Sequence, residues 1–139
     1  MTDVVLGDSV AGMLALERGS VSLVLSDLPS GDTRAEFDVA PDFAQFWPAV
    51  WHCLKPDGAA VLMASSLRFA AQVRASAEPF FRHDIIWRKS IATGFLNAKR
   101  APLRLHEFVL VFARKLGTYN PQMLGGGGAD PRVQTLAAQ

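Results

Sequence analysis

The chain has 139 residues, half of them apolar and 19% charged, which suits one globular domain with a real core and excludes a disordered chain. Fourteen basic residues against thirteen acidic leave a net charge of +1, so any nucleic-acid binding must come from a local patch. A lone cysteine, Cys53, rules out an internal disulfide, and no leader-like or membrane-length apolar run is present, so a cytoplasmic protein with no membrane partner is expected.

In chain order, Val4-Val5-Leu6 reads as a short strand stopped by Gly7-Asp8. Ser9 suits the N-cap of a helix with Val10, Met13, Leu14 and Leu16 on its apolar face, and Gly19 suits its end. Val21 to Ser26 is the next strand, and residues 30–40 are polar and loop-like. Pro41-Asp42 opens a second helix whose apolar positions, Phe43, Phe46, Trp47, Val50, Trp51 and Leu54, recur at a period of about 3.6. Pro48 within it predicts a kink or a split. Trp47 and Trp51 fall on the apolar stripe and read as core. Lys55 to Gly58 is a turn, Ala59 to Ala64 a buried strand, and Leu67 to Glu78 a third helix ended by Pro79. Asp84 to Trp87 and Phe108 to Ala113 are strands, with a basic loop, Arg88 to Arg104, between them. The last pair reads as an antiparallel ribbon on the edge of a parallel sheet. Residues 118–139, with their Gly125–Gly128 run, read as a flexible tail behind a single domain of residues 1–117.

The stretch that organises the rest is Ser22 to Gly31. An apolar strand runs into Asp27, and then Leu28-Pro29-Ser30-Gly31 cannot continue a ladder, because Pro29 lacks an N–H and holds Leu28 extended. Asp27 therefore belongs at the carboxyl end of a sheet strand, where open α/β sheets build their sites. Asp27-Leu28-Pro29-Ser30 resembles the Asp-Pro-Pro-Tyr signature of DNA amino-methyltransferases. Its neighbours follow the same family order: Gly7-Asp8-Ser9 before it, then Leu54-Lys55-Pro56-Asp57-Gly58, Trp87-Arg88-Lys89 and His106-Glu107-Phe108-Val109-Leu110-Val111-Phe112. The order is that of the subgroup whose catalytic half precedes its cofactor half. The resemblance implies an α/β fold, namely a three-layer partial Rossmann-like methyltransferase sheet, mostly parallel with an antiparallel edge ribbon. It also implies S-adenosylmethionine as cofactor and DNA as partner.

On that resemblance Asp27, Leu28, Pro29 and Ser30 form the catalytic tetrapeptide. An aromatic exocyclic amine is a poor nucleophile until both of its hydrogens are accepted, and the acceptors here would be the Asp27 carboxylate and the Leu28 carbonyl. Leu28 stands where the family has Pro, which keeps the carbonyl but loosens the turn. Ser30 stands where the family has an aromatic that stacks on the flipped base, a contact worth about 1–3 kcal/mol. Phe37 or another nearby ring could take its place. Asp8, Ser9 and Asp27 match the cofactor-binding positions, and for Asp8 a helix-capping role stands equally open. Arg88, Lys89, Lys99, Arg100 and Arg104, with Trp87 and Phe95, match the DNA-facing region, the alternative being a solvated loop. His106-Glu107 reads as structural. Isolated His52, His83 and Cys53 give no metal site.

No strand ending in the family's glycine turn follows, so the cofactor half is absent from the reading. The strand at Val4–Leu6 would normally pair within that half, which leaves sheet edges open. Three arrangements remain: a fragment, a chain completed by a homodimer or complementing methyltransferase half, or a re-paired sheet. The expected function is methylation of adenine N6 in preference to cytosine N4, weak or absent in the chain alone. The alternative is a non-catalytic protein of the same fold that binds DNA or a partner.

Overall fold

The computed structural model describes residues 3–32, 35–36, 38–94, 98–117 and 120. Four strands form one sheet in the order β1-β2-β4-β3: β1 (Val21–Asp27), β2 (Leu54–Ala64), β3 (Phe81–Thr93) and β4 (Arg104–Ala113). β1 runs parallel to β2, while β4 is antiparallel to both β2 and β3. Three helices accompany them: α1 (Ser9–Ala15), α2 (Phe43–Cys53) and α3 (Leu67–Ser76). The α/β class, the partial Rossmann-like sheet and the antiparallel ribbon are present; the parallel pairing is at the β1 edge, and of the three layers expected the described residues form the sheet and one helical layer.

The core forms where the alternation of the strands meets the helical stripes. Leu62 and Ala64 of β2 and Leu110 and Phe112 of β4 face Phe46, Trp47 and Val50 of α2 and Phe69 and Val73 of α3. Trp47 packs against Phe112 at 4.8 Å between ring centroids and donates its indole N–H to Ser76 Oγ at 2.8 Å, which ties α2 to α3. Trp51 stacks on it at 5.3 Å, so the pair is structural. Pro48 does not divide α2, because residues on both sides of it, Phe46 and Trp47 before and Val50 and Cys53 after, are anchored in the same core. Met13 of α1 joins this same core, so the three helices contribute to one side of the sheet. The opposite face carries Leu23 and Leu25 of β1, Val61 and Met63 of β2 and Ile85 of β3, and no helix among the described residues covers it. Leu23 and Leu25 are accordingly 52% and 61% exposed.

Several elements differ from expectation. Val4, Val5 and Leu6 form no strand and are almost wholly exposed, because nothing among the described residues pairs with them. The N-cap of α1 is Asp8 and not Ser9, and the helix stops at Ala15, before Gly19. The Lys55–Gly58 turn is a bulge inside β2: Val21 pairs with Leu54 and Leu23 with Ala59. Gly58 is required there, since a Cβ would lie 2.9 Å from Leu54 Cδ2 and 3.0 Å from the Ser22 carbonyl oxygen. The expected Arg88–Arg104 loop begins later than read, because β3 continues to Thr93, and β4 already starts at Arg104. Phe37, Phe95 and, Asn120 apart, the residues 118–139 read as a flexible tail lie outside the described residues.

Candidate active site at the carboxyl edge of the sheet

Asp27 is the last residue of β1, in register with Met63 of β2, so it stands at the carboxyl edge shared by the two parallel strands. Its side chain is exposed, and its carboxylate bonds to no described residue. Leu28 follows with its side chain packed against the core. The chain then turns through Pro29 and Ser30 into Gly31, whose φ of +66° suits only glycine without strain.

The turn is held by residues that the sequence did not single out. Asp38 Oδ1 accepts from the backbone N–H of Ser30 at 2.7 Å and of Gly31 at 2.9 Å. Ser30 Oγ accepts the Asp32 N–H at 3.2 Å, and the Ser30 carbonyl accepts from Arg68 Nη2 at 3.5 Å. The Asp32 carboxylate pairs with Arg68 through one oxygen and accepts from Ser66 Oγ at 2.6 Å through the other. The Arg68 hydrogen bond first, and the Ser66 hydroxyl second, hold the Asp32 carboxyl below the usual carboxylate range. Ser66 is also the N-cap of α3, accepting the Phe69 N–H at 3.1 Å. Only that cap carries a sequence signal; the pairing of Asp32 with Arg68 spans 36 residues and no motif announces it.

The basic residues fall into two groups. Residues 104–107 of β4 lie beyond the last pair with β2, Ala64 with Phe108, so the far part of the β3–β4 ribbon overhangs this same carboxyl edge. There Arg88, Lys99 and Arg100 are exposed and unpaired among the described residues. Lys89 pairs with Glu107, where β3 bulges between Arg88 and Thr93, and Arg104 donates to the Ser65 carbonyl at the end of β2. Glu107 thus has the structural part expected of it. Two hollows of about 400 and 600 Å³ lie elsewhere, one between α3 and the ribbon and one on the open face beside His83 and Val111. Asp27 lines neither.

No family model matches the chain, and no curated protein matches it in sequence. Solved structures do. The cytosine-N4-specific PvuII DNA methyltransferase superposes with a TM-score of 0.59 at 20% identity, over 81% of this chain and 49% of that one. M1.HpyAVI, in complex with SAM, gives 0.57 at 15% identity over 88% and 61%. A protein of Thermus thermophilus named as a candidate DNA modification methylase gives 0.57 at 18% over 84% and 54%. The chain has a DNA-methyltransferase fold. It spans 49% to 61% of the length of these methyltransferases.

The described residues alone do not fit S-adenosylmethionine. Asp8, expected on the cofactor, commits Oδ1 to the Ala11 N–H at 2.8 Å as the cap of α1, and Ser9 is the exposed first residue of that helix. Beside Asp27 no described residue pairs with the outer edge of β1, so the described residues supply one wall of a site there. Among the described residues no helix is long and apolar enough to cross a membrane.

Proposed function

We propose that residues 1–117 are the catalytic half of a DNA amino-methyltransferase that acts on adenine N6 in preference to cytosine N4. The observation that carries this reading is the Asp27 carboxylate, unbonded at the carboxyl edge of β1 and followed directly by the Leu28 carbonyl, in a methyltransferase fold. The two oxygens would accept the two hydrogens of an extruded base's amine, freeing the nitrogen lone pair, and Asp27 would take the proton released. Adenine is favoured because Asp leads the tetrapeptide where cytosine enzymes commonly carry Ser. By the same likeness, S-adenosylmethionine would supply the methyl group. A second half, from further sequence or another chain, would supply its binding wall against the free β1 edge. The overhanging ribbon, with Arg88, Lys99 and Arg100, would hold DNA phosphates.

One observation favours a non-catalytic second reading. Ser30 is half-buried with its N–H, carbonyl and hydroxyl all engaged, so a loop-building residue occupies the place of the base-stacking ring. Transfer of labelled methyl groups from S-adenosylmethionine to mixed-sequence DNA, followed by nucleoside analysis, separates the two readings. N6-methyladenine that disappears in Asp27→Ala supports the enzyme. DNA binding without S-adenosylmethionine binding, and unaffected by Asp27→Ala, overturns it in favour of a regulatory DNA- or partner-binding protein.

A further inference from the structure

The turn after Asp27 is fastened from three directions, and the fasteners lie outside the tetrapeptide. We infer that Arg68, Asp32 and Asp38 are positioning residues that hold the Leu28 carbonyl beside the Asp27 carboxylate. In this arrangement hydrogen bonds replace the stiffness that Leu28 gives up where the resembled motif has proline. The inference rests on the reading of Asp27 and Leu28 as the amine acceptors.

Proline fixes its own φ, whereas Leu28 is restrained only by the Pro29 ring that follows it. Two anchors compensate. On the amino side the Leu28 side chain is packed into the core. On the carboxyl side Ser30 has no polar group left to move: Asp38 holds its N–H, Arg68 its carbonyl and the Asp32 N–H its hydroxyl. Arg68 Nη2 bridges the Ser30 carbonyl and the Asp32 carboxylate, and Ser66 holds the other Asp32 oxygen. Arg68 lies in the first turn of α3 and Ser66 caps it, and Phe69, fully buried, roots that turn in the core. The turn is therefore referenced to the core rather than to solvent, although Arg68 itself is 57% exposed.

Neither Arg68 nor Asp32 contributes a side-chain atom to the Ser30 and Gly31 amide bonds, so those amides report the clasp indirectly. Amide hydrogen exchange is measured on the 139-residue chain and on Arg68→Ala, Asp32→Ala and the double variant, with the Phe69 and Val111 amides as folding controls. Each single variant is expected to speed exchange at Ser30 and Gly31 at least about threefold, as loss of an exposed ion pair allows, and the double no further, since the pair acts as a unit. Arg68→Lys is expected to recover the Asp32 pairing but only part of the protection. Unchanged exchange at Ser30 and Gly31 overturns the inference. In the methylation assay the variants are expected to lower kcat and leave KM for S-adenosylmethionine in place; unchanged kcat in an active protein also overturns it. A wild-type chain without methyl transfer, whose exchange still responds to Arg68→Ala, would fail the proposed activity while upholding the clasp as the device that fixes the turn.

Discussion

Ser66 Oγ donates to Asp32 Oδ2 at 2.6 Å, joining the start of α3 to the loop that leaves β1. The same hydroxyl accepts the Phe69 N–H, so one side chain caps a helix and fastens a loop. With Arg68, it keeps the Asp32 carboxyl below its ordinary range. A depressed carboxylate contributes stability that is present above the unfolded-state pKa and lost as pH falls through the folded one. Wild type is thus expected to exceed Asp32→Asn in urea stability near neutral pH by about 1 kcal/mol or less, given the exposure of Arg68. That gap should persist down to about pH 4, the ordinary aspartate value, and close only as pH falls further through the lowered one. A gap independent of pH in urea titrations would rule out this linkage.

Asp27→Ala is expected to remove methyl transfer by about 10²-fold or more, the usual worth of a positioned proton acceptor. The fold should hardly notice, because the carboxylate bonds to no described residue and is exposed. A stability change within about 0.5 kcal/mol by urea unfolding, alongside lost activity, is the expected pair of results.

Much of this arrangement was legible in the sequence because it depends on local signals. The apolar run ending in Asp27 gave β1, the period of Phe46, Trp47 and Val50 gave α2, and Ala59 to Ala64 gave most of β2. What escaped depended on distant partners. Val4–Leu6 has a strand's composition, yet a strand exists only where another pairs with it, and none of the described residues does. Lys89 and Arg104 fall among the residues expected to face DNA, whereas Glu107 and the Ser65 carbonyl engage them. The Asp32–Arg68 clasp has no local signature either, since its two halves meet only when α3 docks.

The core prediction tests the side of the sheet that carries the helices. Phe112 is fully buried against Trp47 and Phe81. Phe112→Ala is expected to cost about 3–5 kcal/mol, the sum of lost transfer energy and a cavity that the tightly packed neighbours cannot fill. Urea unfolding followed by tryptophan fluorescence reads this, and a loss under about 1 kcal/mol would mean that the core repacks freely.

DNA contact by the ribbon is tested through salt. Replacing Arg88, Lys99 and Arg100 together by Ala should weaken binding similarly on all sequences and flatten the plot of log K against log salt by about 0.9 per lost phosphate contact on duplex DNA. Arg104→Ala is expected to differ, because its guanidinium holds the Ser65 carbonyl; it should lower stability as well as affinity. An unchanged salt slope in the triple variant would remove the ribbon from the DNA interface.

Leu23 and Leu25 are more than half exposed on a strand that, among the described residues, pairs on one side only, an arrangement that invites association through both apolar contact and free backbone groups. If a complementing half normally covers them, the chain alone should self-associate, and Leu25→Lys should reduce that association. The charge stays solvated on the bare face, so unfolding free energy should shift by no more than about 0.5 kcal/mol. Sedimentation velocity over a concentration series reads the first effect and urea unfolding the second. If such a half buries this face, the same substitution should also weaken assembly with a cofactor half added in trans. A variant that assembles as well as wild type would place any complementing wall somewhere other than β1.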